Sequence, residues 1–150
     1  MHRTRSSANS RRARGLATLA LAAVLAVGAV VAPIALARGG KTVVGEARAP
    51  SLHKTVLTNT KGLTLYSLSV EKNGRFICTG SCTSTWFPLL VSRGTKPKGP
   101  VKLGTVKRPE GKIQVTFKGH PLYTFYGDSA KGQTKGQGFK DVGTWHAVTP

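Results

Sequence analysis

The feature that most constrains this chain is that it repeats itself. The stretch "TVLTNTKGLTLYSLSVE" (55–71) lies over "KIQVTFKGHPLYTFYGD" (112–128) at a constant shift of 57 residues. Lys61-Gly62 falls on Lys118-Gly119, Leu65-Tyr66 on Leu122-Tyr123, Leu68 on Phe125 and Glu71 on Asp128. Trp86 corresponds to Trp145 at a shift of 59. Agreement at two Lys-Gly pairs and two Leu-Tyr pairs is an internal duplication, and a duplication calls for a fold in which two like units share one core.

Each unit alternates with period two. Val56 and Thr58, then Thr64, Tyr66 and Leu68, mark the first; Ile113, Val115 and Phe117, then Tyr123 and Phe125, mark the second. This pattern, rich in β-branched and aromatic residues, predicts two β-hairpins turned at the Lys-Gly pairs. Glycine there supplies the positive φ of a tight reversal. Pro121 is expected at the mouth of its strand, where a missing N–H costs the ladder nothing.

A lone hairpin cannot bury its apolar face. The expected fold is therefore mostly β: a small single domain of two duplicated β-hairpin units, packed about a pseudo-twofold axis or completing one sheet. The domain covers 55–150, with copy one over about 55–91 and copy two over about 112–149. The Pro/Gly/Lys connector between them is expected to hold one short strand near 101–106. Trp86 and Trp145 are expected to cover the ends of the core. Residues 38–54 read as a flexible tether, since Gly, Ala, Pro and charge show little periodicity there.

The N-terminus sets the compartment. "MHRTRSSANSRRARG" carries five arginines and no acid, and residues 16–37 run uncharged to Ala35-Leu36-Ala37. A basic start, an apolar run and a small-x-small exit are the parts of a secretory signal peptide over 1–37, with cleavage expected after Ala37. Arg11-Arg12 leaves twin-arginine export open beside the general route. If the run stays uncut, its 22 residues are enough to span a bilayer, so membrane attachment depends on that cut. No cysteine follows the run, which argues against lipid attachment at a mature N-terminal Cys.

Past Ala37, eighteen lysines and arginines face five acids, a net charge of +13. Such a charge favours polyanions outside the cell, namely wall polymer or anionic lipid headgroups. A dedicated nucleic-acid role is not expected, because export and the lack of aromatic-basic interleaving argue against it.

These residues resemble the secreted-repeat family of predicted bacterial lipoproteins with a Tyr-x-[Phe/Trp/Tyr]-x-x-Asp motif, a family without an assigned biochemical role. "GHPLYTFYGD" carries Tyr123, Phe125 and Asp128, followed by Trp145-His146. "GLTLYSLSVE" has Tyr66, with Leu68 in the aromatic place and Glu71 in the aspartate place. "CTGSCTSTWFPLL" is similar to the family's Cys-x-Gly-x-Cys-x-x-x-Trp-Pro-Pro, with Phe87 after Trp86 where a proline is expected. The likeness covers about residues 55–149 and implies a secreted envelope protein.

Cys78 and Cys82, the only cysteines, admit three readings, taken in order of preference. As a pair leaving the cytosol together they should oxidise to each other, constraining the unfolded chain by about 2 kcal/mol. As thiolates four apart, joined by His120 or His146, they form a soft site suited to copper. As a dithiol exchanger they lack the usual spacing and scaffold. His53 is taken as incidental.

Hydrolytic motifs are missing from the sequence, and Asp141 near His146 is the only acid–histidine candidate. Asp128, and Glu71 less well, are expected to accept backbone N–H groups from the following Gly-rich loops. Tyr66 and Tyr123 should bury their rings while their hydroxyls find backbone partners. The chain is thus read as a secreted, non-enzymatic binding or scaffolding module without cofactor, the alternative being an extracytoplasmic copper-binding or redox-linked protein.

Overall fold

A computed structural model describes residues 40–150. The expected signal peptide over 1–37, its helix and its cleavage site lie outside the described residues. The first half carries β1 (Lys41–Thr42), β2 (Val44–Ala49), β3 (Lys54–Asn59), β4 (Leu65–Leu68), β5 (Trp86–Pro88) and β6 (Leu90–Val91). β7 (Pro97–Lys98) lies in the connector. The second half carries β8 (Leu103–Lys107), β9 (Ile113–Phe117), β10 (His120–Pro121), β11 (Tyr123–Phe125) and β12 (Trp145–Ala147). The only helical pieces among the described residues are 3-10 turns at Pro50–Leu52 and Gly80–Ser84. The fold is mostly β, as the alternation predicts.

The duplication is visible in the register. The central antiparallel sheet runs β12-β4-β11-β5, and its two middle strands meet with Tyr123 opposite Tyr66. These are the same residue of the two copies, so a pseudo-twofold axis passes between them. The outer strands are exchanged. β5, the tail of copy one, pairs with β11 of copy two, Trp86 opposite Phe125. β12, the tail of copy two, pairs with β4 of copy one, Trp145 opposite Leu68.

The exchange continues one step further. Leu89 N–H donates to Leu122 O (2.9 Å) and Leu89 O accepts from Val115 N–H (2.9 Å). In the other half, Val148 N–H donates to Leu65 O and Val148 O accepts from Leu57 N–H, both at 2.8 Å. Each copy therefore completes the hairpin of the other, which is why neither apolar face is left open to water.

Some expectations need correction. Of the expected tether over 38–54, the described residues 40–54 do not form one: β2 pairs with β3 over six residue pairs, Val44–Asn59 to Ala49–Lys54. Val43, Val44, Ala47 and Ala49 are buried while Glu46 and Arg48 face solvent. Small apolar residues carry this strand, and small residues give a weak periodic signal.

The copy-one hairpin is also not a continuous ladder. β3 bonds mainly to β2 and meets the strand after its turn at one isolated bridge, Thr58 to Thr64. The equivalent Lys-Gly pairs close different reversals. Lys118 (φ 50°) and Gly119 (φ 84°) form a two-residue turn between Phe117 and His120. Gly62 (φ 82°) instead ends a longer loop in which Asn59 Oδ1 accepts from Lys61 and Leu63 N–H. The connector strand forms at Leu103–Lys107 and covers the full length of β9.

Alternation along β4 and β11 splits the core between two faces. Leu65 and Leu122 pack with Val44, Leu57, Val115 and Phe117 on one side. Tyr66, Leu68, Tyr123 and Phe125 pack with Cys78, Trp86 and Trp145 on the other. The tryptophans do not cap the ends of the core. They reach in from the two edge strands and stack on each other, centroids 3.8 Å apart and planes 7° from parallel. An aromatic pair of this kind adds roughly 1 kcal/mol beyond its area burial.

Candidate functional site

Beneath the stacked indoles, the motif residues of the two copies cross-bond. Tyr66 Oη donates to Asp128 Oδ2 at 2.6 Å, and Tyr123 Oη donates to Glu71 Oε2 at 2.8 Å. Each tyrosine thus donates to the acid of the opposite copy and not to the backbone group expected from the sequence. The geometry follows from the register: with Tyr66 and Tyr123 paired at the axis, each acid, five residues further along its own copy, comes back beside the other tyrosine.

Each acid also holds a loop. Glu71 Oε1 accepts Ile77 and Cys78 N–H at 2.6 Å each, and Asp128 Oδ1 accepts Lys135 N–H at 3.0 Å. Tyr66 Oη in addition accepts Gly136 N–H at 3.3 Å. A Cβ at Gly136 would lie 2.7 Å from the Trp86 ring, so the loop approaches this closely only with glycine.

Both acids are buried, and both phenols are fully so. Burial pushes each tyrosine well above the ordinary phenol value. The hydrogen bond that Tyr66 donates to Asp128, and the charge of Asp128, add to this at Tyr66, while the charge of Glu71 and the hydrogen bond donated to it do so at Tyr123.

One cation joins this network. Arg108, on the residue after β8, is 1% exposed. Its Nη1 donates to Gln114 Oε1 (2.5 Å) and Tyr123 Oη (3.1 Å), its Nη2 donates to Cys78 O (2.8 Å), and its Nε pairs with Glu110. Its face lies 4.9 Å from the Phe76 ring. Burial works against the guanidinium charge, but the bonds with Glu110 and Tyr123 outweigh it and hold its pKa above the ordinary value. Slight burial raises Glu110, and its bond with Arg108 outweighs that and holds it below the ordinary range.

The cysteines are joined: Cys78–Cys82 is a disulfide with Cα atoms 5.2 Å apart. Gly80 between them takes φ 55°, and Cys78 is held from both sides, its N–H by Glu71 and its carbonyl by Arg108. The alternative metal set is not brought together. His120 sits in β10 opposite Phe117, in the sheet with β9, while His146 is exposed on β12 of the central sheet. Among the described residues, no group of three or more His, Cys, Asp or Glu side chains is placed to hold a metal ion.

The structure thus brings Tyr66, Glu71, Trp86, Tyr123, Phe125, Asp128 and Trp145 into one buried cluster and leaves His146 outside it. Arg108 and Gln114 belong to the cluster, with exposed Glu110 at its edge, and none of the three was indicated by the sequence. Arg108 is one of many cations in a basic connector, and Gln114 falls at what the alternation marks as an outward position.

Residues 104–149 match a family model described as a secreted repeat of unknown function. That span covers copy two from β8 to Thr149, including Arg108, Tyr123, Asp128 and Trp145. The description supports an extracellular or envelope location. No curated protein and no solved structure matches the chain.

Proposed function

We propose that this chain, with a secreted repeat over residues 104–149, is an envelope-located binding or scaffolding module without enzymatic activity, attached electrostatically to anionic polymer or lipid headgroups. The observation that carries the reading is where the acids go. Of the five, Glu71 and Asp128 are buried in the tyrosine network and Glu110 is paired with Arg108. Sixteen lysines and arginines among the described residues are exposed, against Glu46 and Asp141 as exposed acids outside that pair. The motif acids are occupied in holding loops, so they offer no open cleft for acid–base chemistry.

Long-range attachment of this kind weakens as counterions screen it, with a Debye length of about 8 Å at physiological salt and about 3 Å at 1 M. Sedimentation of the exported protein with isolated envelope across a salt series is expected to show retention falling steeply over that range. Retention unchanged at high salt would overturn the electrostatic reading. Turnover of an envelope polymer by purified protein would overturn the non-enzymatic one.

A further inference from the structure

A groove of about 440 Å³ opens where β1, β6 and the start of β9 come together. Val43, Val91 and Ile113 give it an apolar part beside Ser92 and Thr95, with Leu90 40% exposed at the lip. Lys41, Arg93 and Lys112 stand around it, all exposed, and no acid lines it.

The duplication supplies an internal comparison. A second concavity, about 270 Å³, is lined by Lys54, His146 and Thr149 among others. Thr149 stands 59 residues after Leu90, and Lys54 stands 57 before Gly111 of the first groove. The related place in the other half carries one lysine where the first carries three cations, with Leu52 and Ala147 as its apolar lining. The number of cations sets the first groove apart from its counterpart.

We infer that this groove binds the headgroup of an acidic phospholipid at a membrane surface. The inference rests on the cationic-attachment reading and names its site and ligand class. A soluble phosphate or a sugar-phosphate polymer would satisfy the three cations but leave Val43, Leu90, Val91 and Ile113 against water. A phospholipid covers both, its phosphate among the cations and its glycerol and first acyl carbons against the apolar surface.

Each cation held near an anionic bilayer surface strengthens binding about fivefold.

The test uses the exported form, residues 38–150, which falls within the compact unit Leu36–Pro150, so that the leader contributes nothing. Binding is measured by sedimentation with vesicles of one part phosphatidylglycerol to two parts phosphatidylcholine, and with phosphatidylcholine alone. The triple variant Lys41→Gln, Arg93→Gln, Lys112→Gln is compared with Lys61→Gln, Lys131→Gln, Lys140→Gln, which removes equal charge from exposed positions outside the groove. The groove triple is expected to bind acidic vesicles roughly a hundredfold more weakly, and the control triple less than about threefold more weakly. Leu90→Ser is expected to weaken binding severalfold even at high salt, where the electrostatic part is screened.

Equal losses in both triples would sink the groove while leaving diffuse cationic attachment standing. Binding of isolated wall polymer, but not acidic vesicles, with the loss confined to the groove triple, would make the polymer the occupant and overturn the lipid. Wild-type protein that binds neither vesicles nor envelope would remove both readings.

Discussion

Tyr66 and Tyr123 face each other across the same pseudo-twofold axis, and each donates to the acid of the opposite copy, yet the surroundings of the two pairs differ. Asp128, the shorter acid, is supported by neutral donors alone: the Tyr66 hydroxyl and the Lys135 N–H. Glu71, the longer acid, takes two adjacent N–H groups. Its tyrosine partner also receives a bond from a buried guanidinium, and the loop it holds is closed by the disulfide. Duplication fixed the topology twice, and the two sites then drew on different chemistry to satisfy a buried carboxylate. Neutral donors alone surround one acid, whereas on the other side a cation bonds the tyrosine partner and a covalent link closes the loop.

The stacked tryptophans offer the largest test of that comparison. Trp86 contacts Tyr66, Phe125, Phe139 and Trp145, whereas Trp145 contacts Trp86 and Tyr123, and its Nε1–H has no partner among the described residues. Truncating a buried Trp costs about 3–5 kcal/mol. Trp86→Ala is expected at the upper end and Trp145→Ala at the lower, read from denaturant midpoints at constant m. Equal losses would mean that the stack alone sets the cost and that the halves are energetically symmetric.

Arg108 comes next. Replacing it with Met leaves Gln114 Oε1, Cys78 O and Tyr123 Oη facing an apolar chain, a cost of about 3 kcal/mol. Its counterpart by strand register is Arg48, opposite Thr55 as Arg108 is opposite Lys112, and Arg48 is exposed. Arg48→Met is expected to change stability by less than about 0.5 kcal/mol. A cheap Arg108→Met would show that the cation contributes little and that the two sites are alike in substance.

Much of this was legible from residues 55–71 and 112–128, because a repeat of period-two segments leaves few ways to share a core. The sequence could not show which copy each acid serves. Alternation places Tyr66 and Glu71 in one unit, and only the antiparallel register at the axis sends the tyrosine to Asp128. β2 was missed because Val-Gly-Glu-Ala-Arg-Ala has small side chains and looks like a linker until β3 needs an edge partner. Arg108 was missed because burial, and not residue type, sets it apart from sixteen exposed cations of the same charge.

The disulfide bears on copy one alone. Closing a loop of five residues constrains the unfolded chain by about 2 kcal/mol. The double variant Cys78→Ser, Cys82→Ser is expected to lose about that much. In hydrogen exchange the amides of Ile77 and Cys78 should open sooner, while Lys135 and Gly136 keep their protection. Loss of protection at both loops together would mean that the two acids work as one unit across the axis, and the contrast between the sites would fall.

The smallest effect per site is alkaline. In the unfolded chain a phenol ionises near pH 10. In the fold, Tyr66 and Tyr123 hold their protons to well above that, so the unfolded state releases protons that the folded state keeps. Their contribution is complete below about pH 10 and falls by about 1.4 kcal/mol per tyrosine for each further pH unit, until the folded values are reached. Comparison with Tyr66→Phe isolates the phenol: the variant differs by one titrating group, so its stability should fall about 1.4 kcal/mol less per unit than wild type. Identical slopes, or phenolate absorbance rising while the fold persists, would show that the tyrosines ionise in place and that their bonds to Asp128 and Glu71 do not hold them neutral.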